Sequence, residues 1–154
     1  MADFRVVDPT SAEALVLLRG YYADVASRFH DRPVTADDIA DALSNEPSDD
    51  LQGATGLFLI ADDGAGCGGL RFVEPGVAEL TRIWVAPSGR RRRLGQRIVE
   101  RLETEAVNRG VHTLRLDTRA DLVEALGLYA KLGYVEVAPF NDGEYAEVWL
   151  AKEL

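Results

Sequence analysis

Four consecutive arginines, Arg90, Arg91, Arg92 and Arg93, are followed directly by Leu94, Gly95 and Gln96. They lie between a β-branched and aromatic run ending at Val85 and a segment in which Leu94, Ile98, Leu102 and Ala106 recur at helical spacing. A Pro and Gly turn at Pro87 to Gly89 separates the two. A strand thus feeds a helix, and the first turn of any helix presents backbone amides that lack an intrahelical acceptor. Beside guanidinium groups, such amides form an anion site. Phosphate suits it best, because successive N–H groups wrap its oxygens while arginine adds charge-assisted hydrogen bonds.

That basic spot interrupts an acidic chain. The 154 residues carry a formal net charge of -9 and a pI near 4.7, which argues against nucleic acid, since duplex binding spreads Lys and Arg over a whole face. A compact polyanion fits better. His30 and His112 lack ligand spacing, so no metal is expected. Neither a G-x-S-x-G elbow nor a Walker loop is present, and the glycines between Gly66 and Gly69 precede no helix, so they fail the context of a dinucleotide fingerprint. Cys67 has no second cysteine to pair with and reads as a small buried thiol, in keeping with a reducing cytoplasm. No apolar run reaches the length of a membrane span, and MADFRVVD has neither a basic start nor a long apolar stretch. The expectation is a cytoplasmic chain with no membrane or nucleic-acid partner and no signal peptide, folded as one domain over 1–154.

The elements that must position the arginines follow from periodicity. Phe4 to Val7 reads as a strand stopped by Pro9. Thr10 and Glu13 suggest a capping box for a helix carrying Leu15, Leu18, Tyr22, Val25 and Phe29 on one face. Pro33, Thr35 and Asp38 open a shorter helix through Ile39 and Leu43, and the polar stretch from Ser44 to Gly56 reads as a mobile loop. Leu57 to Ala61, Gly68 to Val73 and Val77 to Val85 suggest an antiparallel meander. After the arginines, a helix with an expected Glu105–Arg109 pair ends at Gly110. Thr113 to Thr118 is the next strand, Asp121 and Glu124 suggest the cap of a helix through Leu126 and Tyr129 that closes at Gly133, and Tyr134 to Val137 and Tyr145 to Leu150 are the final strands. The simplest packing is an α/β fold: a mixed, mostly antiparallel central sheet with helices on both faces.

These features resemble the GNAT superfamily of acyl-CoA-dependent N-acetyltransferases. There a strand ending in V-x-P leads into R-G-x-G-x-G, or a looser [QR]-x-x-G-x-[GA], whose amides cradle the coenzyme A pyrophosphate. Val85, Ala86 and Pro87 fit the strand end, and Arg90 and Gly95 fit the outer loop positions, while Arg91 and Arg93 stand where glycine is usual. Ala125, Leu128, Tyr129, Lys131, Gly133 and Tyr134 match the family segment A-x-x-L-Y-x-K-x-G-F/Y. Leu122 stands where many members carry an asparagine that contacts the cofactor. The order of elements is similar to that fold over nearly the whole chain.

The resemblance implies acetyl-CoA as cosubstrate and direct acetyl transfer to a small-molecule or peptide amine. Ile83, Trp84 and Val85 would bind pantetheine and the thioester carbonyl through their main chain, and residues 90–96 would hold the pyrophosphate. Tyr129 would protonate the leaving thiolate. This is chemically reasonable, since a phenol with pKa about 10 can donate to a thiolate whose reference pKa is about 8.5. Glu79, six residues before Val85, matches the spacing of the catalytic glutamate in protein-acetylating members and is the expected base, with Asp117 as the fallback. For the acceptor, the first two helices and the strand near the thioester point to Tyr22, Phe29, Arg82 and Arg119, with the two arginines suggesting a fork for a carboxylate. The rival reading is an acyl-CoA-binding sensor or interaction module that keeps the fold without turnover. Homodimerisation stays open.

Overall fold

In the computed structural model, which describes residues 3–30, 32–61, 63–90, 92–143 and 146–154 apart from the side chains of Phe29 and His30, the elements follow the expected order. They are β1 (Phe4–Val6), α1 (Ala12–His30), α2 (Ala36–Asn45), β2 (Gly56–Ala61), β3 (Gly66–Glu74), β4 (Val77–Val85), a 3-10 turn (Pro87–Gly89), α3 (Leu94–Asn108), β5 (Thr113–Thr118), α4 (Val123–Lys131), β6 (Val135–Glu136) and β7 (Val148–Glu153). The strands form one seven-stranded sheet in the order β1-β2-β3-β4-β5-β7-β6. Every pairing is antiparallel except β4 with β5.

The sheet is buried on both faces, and β2 shows why. Leu57 and Leu59 point to one side and pack with Leu94, Ile98 and Leu102 of α3, whereas Phe58 and Ile60 point to the other and pack with Ala14, Leu17, Leu18 and Tyr22 of α1. Burying each such side chain contributes about 1.5–3 kcal/mol, so a one-residue slip would exchange the two cores. Helix α4 joins the α3 side through Ala125, Leu126 and Leu128. Close approach of α3 depends on Gly68, where an added Cβ would lie 2.7 Å from Ile98 and 2.9 Å from Leu102.

Two irregularities in β4 shape the centre of the molecule. Its parallel pairing with β5 runs from Val77 opposite Thr113 to Glu79 opposite Arg115 and stops there, although β5 continues to Thr118 against β7. Beyond Glu79 the two strands part and open a wedge. On the other edge of β4, Cys67 faces Trp84 but Gly69 faces Thr81, so Arg82 and Ile83 together oppose Gly68. This is a β-bulge, which sharpens the local twist. Arg82 sits in it at φ 58°, and the Cys67 thiol donates to the Arg82 carbonyl at 3.3 Å.

Several local expectations change. The helix-opening side chain of α1 is Ser11, whose Oγ accepts from the Ala14 amide at 3.2 Å, while Thr10 bonds back to Asp8 and Glu13 pairs with Arg5 across to β1. The box at Thr35 and Asp38 forms as expected. Glu105 pairs with Arg101 at 3.1 Å, leaving Arg109 over the Phe72 ring. Asp121 does not cap α4, because Arg119 forks it at 2.9 and 3.1 Å, and the N-cap Leu122 offers no acceptor. The last strand starts at Val148 and runs to Glu153; Tyr145 lies outside the described residues. The stretch from Ser44 to Gly56 is pinned: Leu51 is fully buried, Arg71 forks Asp50, and Arg82 donates to Ser48.

Candidate active site

The wedge between β4 and β5 leads into a cleft of about 630 Å³, closed on one side by α1 and the loop after α2 and on the other by α4. Thr81, Ile83 and Trp84 line it from β4, Leu116 and Asp117 from β5, and Tyr129 from α4. Because β5 has left the edge of β4 by Leu80, that edge faces the cleft rather than a neighbouring strand. Main-chain donors and acceptors there can meet an extended ligand as a strand would.

Tyr129 is 6% exposed and stands edge-on to Tyr134 at 5.7 Å between ring centres. Among the described residues, no protein group hydrogen-bonds its hydroxyl, although the side chain lines the cleft. Burial holds that phenol well above the usual tyrosine range, helped by the nearby Tyr21 ring, so it stays protonated at neutral pH. Tyr21 lines the opposite wall, and burial pushes its pKa up to about 12, opposed by the Arg82 charge. Two protonated phenols therefore face one space from α1 and α4.

The carboxylates differ in what holds them. Glu79 lies in the last paired register of β4, and Arg115, its register partner on β5, donates to it at 3.0 Å. Asp117 is exposed two residues further along β5 and accepts from the neutral Asn141 amide at 2.9 Å. Asp24, about one turn along α1 from Gly20, accepts the Trp84 indole at 2.6 Å and lies 3.5 Å from Arg90. Gly20 is required here, because an added Cβ would overlap the Trp84 ring.

At the mouth, the 3-10 turn delivers the chain to α3. Its N-cap is Arg93, at φ 56° and ψ 28°, with no side-chain cap on the first amides of the helix. Left-handed backbone is where glycine costs least, which gives a physical reason for the glycine usual at that loop position. Arg92 is 3.0 Å from Asp63, and its hydrogen bond lowers the Asp63 pKa.

Residues 21–134 match the model of the acetyltransferase (GNAT) family. The chain belongs to that family. Among curated relatives, this GNAT domain is 36% identical over 88 residues to the IAA acetyltransferase of Azospirillum brasilense, a stretch covering 54% of this chain and 58% of that protein. It is 40% identical over 80 residues to the ribosomal protein bS18-alanine N-acetyltransferase of Salmonella typhimurium, covering 52% of this chain and 54% of that protein. The matches thus span little more than half the length of those relatives. Among solved structures, the ribosomal-protein-S18-alanine N-acetyltransferase of Escherichia coli superposes with a TM-score of 0.63 at 26% identity, over 99% of this chain and 94% of that one. The PaiA N-acetyltransferase of Thermoplasma acidophilum, solved with coenzyme A, gives a TM-score of 0.72 over 99% of both chains; at 18% identity it speaks for the fold alone.

Family enzymes draw their acetyl group from acetyl-CoA, and the uncapped α3 start flanked by Arg90 and Arg92 has the chemistry its pyrophosphate needs. Gly95 sits in that first turn, while the Leu94 side chain is buried in the core and would act only through its amide. Arg91 lies outside the described residues.

On the acceptor side the GNAT domain departs from expectation. Tyr22 is a core residue, 1% exposed, whose hydroxyl donates to the Glu46 carbonyl; its neighbour Tyr21 faces the cleft. Arg82 is 8% exposed, and its guanidinium donates to Ser48, Thr81 and the Glu46 carbonyl beside the Tyr21 and Tyr22 rings. Arg119 is spent on Asp121 and does not line the cleft. No carboxylate fork forms between these two arginines. The Phe29 side chain lies outside the described residues. Sequence reading missed Tyr21 and Asp24, for which α1 periodicity gave only neighbours of the buried stripe.

Among the described residues, no helix is long and apolar enough to cross a membrane, and no group of His, Cys, Asp and Glu side chains could hold a metal ion.

Proposed function

We propose that this GNAT domain moves an acetyl group from acetyl-CoA to a primary amine by direct transfer, with donor and acceptor held together. The observation that carries the reading is the wedge between β4 and β5, faced by the buried Tyr129, whose hydroxyl has no hydrogen-bond partner among the described residues. Acetyl-CoA supplies an activated acyl group on a thiol leaving group. The freed edge of β4 at Ile83, Trp84 and Val85 orients the pantetheine arm and offers main-chain donors where negative charge develops. Arg90, Arg92 and Arg93, with the amides of Leu94, Gly95 and Gln96, hold the pyrophosphate, and Arg91 belongs to the same run. Tyr129, kept protonated by burial, donates to the departing sulfur.

The amine must lose a proton to attack. Glu79 has the spacing of a base, but Arg115 competes for its lone pairs. Asp117 is held only by a neutral amide and stands on the opposite strand of the wedge, so it is the better acceptor of that proton, directly or through water. Cys67 takes no part as a nucleophile: it is fully buried, and burial pushes its thiol up to about 12. The two named relatives differ in acceptor, so neither name supplies the acceptor here.

A second reading, an acyl-CoA sensor without turnover, draws support from Arg93, whose side chain occupies the left-handed N-cap where a family loop carries glycine. Thiol release from acetyl-CoA across amines, amino acids and peptides separates the two. Steady release with one acceptor and intersecting initial-velocity lines is expected. Parallel lines would replace direct transfer by an acyl-enzyme, and cofactor binding without release from any acceptor would favour the sensor.

A further inference from the structure

The loop between β6 and β7 folds back over β5 and reaches the cleft, which Asn141, Gly143 and Ala146 line. Asp117 on β5 is the register partner of Trp149 on β7, so their side chains leave the sheet on the same face. Asn141 from the loop stands between them. Its Oδ1 accepts from the Trp149 indole at 3.1 Å and from the Gly143 amide at 3.2 Å, while its Nδ2 donates to Oδ2 of Asp117 at 2.9 Å. An indole and a main-chain N–H can only donate, so the oxygen of Asn141 must face them and its Nδ2 must face the carboxylate. The amide has one way round. The neighbouring Phe140 lays its ring over the Arg115 guanidinium, 4.2 Å from the ring centre, and Arg115 shares the face of Asp117 two residues on. Consecutive loop residues thus reach Asp117 directly and Glu79 through its partner Arg115.

We infer that Asn141 is a positioning residue, which clasps one oxygen of Asp117 so that the other is presented to the acceptor amine. The inference rests on the acetyl-transfer reading with Asp117 as base, and names what aims that base. Among the described residues, Oδ1 of Asp117 has no hydrogen-bond partner, so it is the oxygen left to take a proton, directly or through water. An exposed aspartate otherwise samples several rotamers. Holding one matters, because misplacing a reacting group by about 1 Å can cost about 100-fold in rate. The neutrality of the clasp matters too: Arg115 brings a full positive charge to Glu79, whereas an amide fixes Asp117 without one. In the step itself the N–C bond forms and the thioester C–S bond breaks. The amine's proton goes to Oδ1, the thiolate takes the proton of Tyr129, and solvent returns the first proton to the phenolate.

The test is single-turnover thiol release from acetyl-CoA, using whichever of n-butylamine, alanine and an alanine-initiated tetrapeptide reacts fastest. Asn141→Asp is isosteric and keeps an oxygen for Trp149 and Gly143 while removing the donor to Asp117, so a role confined to holding the loop survives it. Asn141→Asp and Asn141→Ala are each expected to slow transfer on the order of tenfold, with KM for acetyl-CoA changed less than about twofold. In an Asp117→Asn background, Asn141→Ala is expected to cost less than about twofold more, because the oxygen it aims has gone. An Asn141→Asp rate within about twofold of the parent, or full additivity of the two changes, would overturn the inference while leaving acetyl transfer intact. An unimpaired Asp117→Asn would remove the base and the inference together, and a parent that releases no thiol with any of these acceptors would count against the transfer reading on which both rest. The clasp is also read without turnover, from the indole N–H resonance of Trp149 identified by its loss in Trp149→Phe. That resonance is expected to move in Asn141→Ala, and an unmoved one would overturn the inference whatever the rates.

Discussion

Tyr129 carries the sharpest prediction at the scale of single residues. Tyr129→Phe keeps the ring against Tyr134 and Leu126 and removes only the hydroxyl, so the fold is expected to survive. Help to a leaving group is realised in the transition state and appears in kcat. General acid catalysis contributes about 10² to 10⁴ in rate, so single-turnover transfer is expected to slow by at least ~30-fold, with KM for acetyl-CoA little changed. A variant within twofold of the parent would make Tyr129 a packing residue, with solvent protonating the thiolate. Cys67 gives a prediction in pH. Its thiol ionises near about 8.5 in the unfolded chain and near 12 in the fold. Above the lower value the unfolded state has released a proton that the native state keeps, so stability falls as pH rises through that window. Urea unfolding should show a loss of about 1 kcal/mol between about pH 8.5 and 9.5, before tyrosines add their own slope. In Cys67→Ala that slope is expected to vanish; an unchanged slope would place its origin elsewhere.

At the scale of elements, patterns with a fixed period were legible and interactions that skip along the chain were not. The unbroken apolar run from Leu57 to Ala61 and the helical spacing of Leu94, Ile98, Leu102 and Ala106 gave β2 and α3 correctly, because β2 is buried on both faces and α3 on one. The same reasoning chose Tyr22 over Tyr21, since periodicity finds the buried stripe and says nothing of which flanking residue borders a cleft. Arg82 lines the cleft, but its inward turn depends on a bulge in which Arg82 and Ile83 together oppose Gly68, a register fact invisible in β4 itself. Glu79 meets Arg115 only through the parallel register of strands 36 residues apart. Arg93 was recognised as a departure from glycine, and the structure supplies its cost. A left-handed backbone costs a residue with Cβ about 1–2 kcal/mol, and the extra freedom of glycine in the unfolded chain returns about 0.4–1 kcal/mol. Arg93→Gly should therefore stabilise modestly, raising Tm by about 1–4 °C. A lower Tm would mean that the arginine side chain makes a stabilising contact that outweighs its backbone.

At the scale of the whole molecule, the proposed cofactor site links binding to folding, because it draws on parts that only the folded chain assembles. The freed edge of β4 exists because β5 turns away, the uncapped amides belong to α3, and Asp24 of α1 reaches both Trp84 and Arg90. In the free protein the loop cations are held by half-exposed carboxylates, Arg90 near Asp24 and Arg92 near Asp63. Such surface pairs contribute about 0–1 kcal/mol, so exchanging them for a pyrophosphate that also meets helix amides is favourable. A ligand that binds only the native state adds RT ln(1 + [L]/Kd), about 2.7 kcal/mol at ~100 times Kd. For a chain of this length each kcal/mol raises Tm by about 2–4 °C, so saturating acetyl-CoA should raise it by about 5–10 °C. The rise should shrink with added salt, as the arginine contacts are screened, and should be smaller in a variant with Arg90→Ala and Arg92→Ala. An unchanged Tm at millimolar acetyl-CoA, with the protein folded, would remove acetyl-CoA as the donor. An equal rise in the double variant would move the pyrophosphate away from the arginine loop.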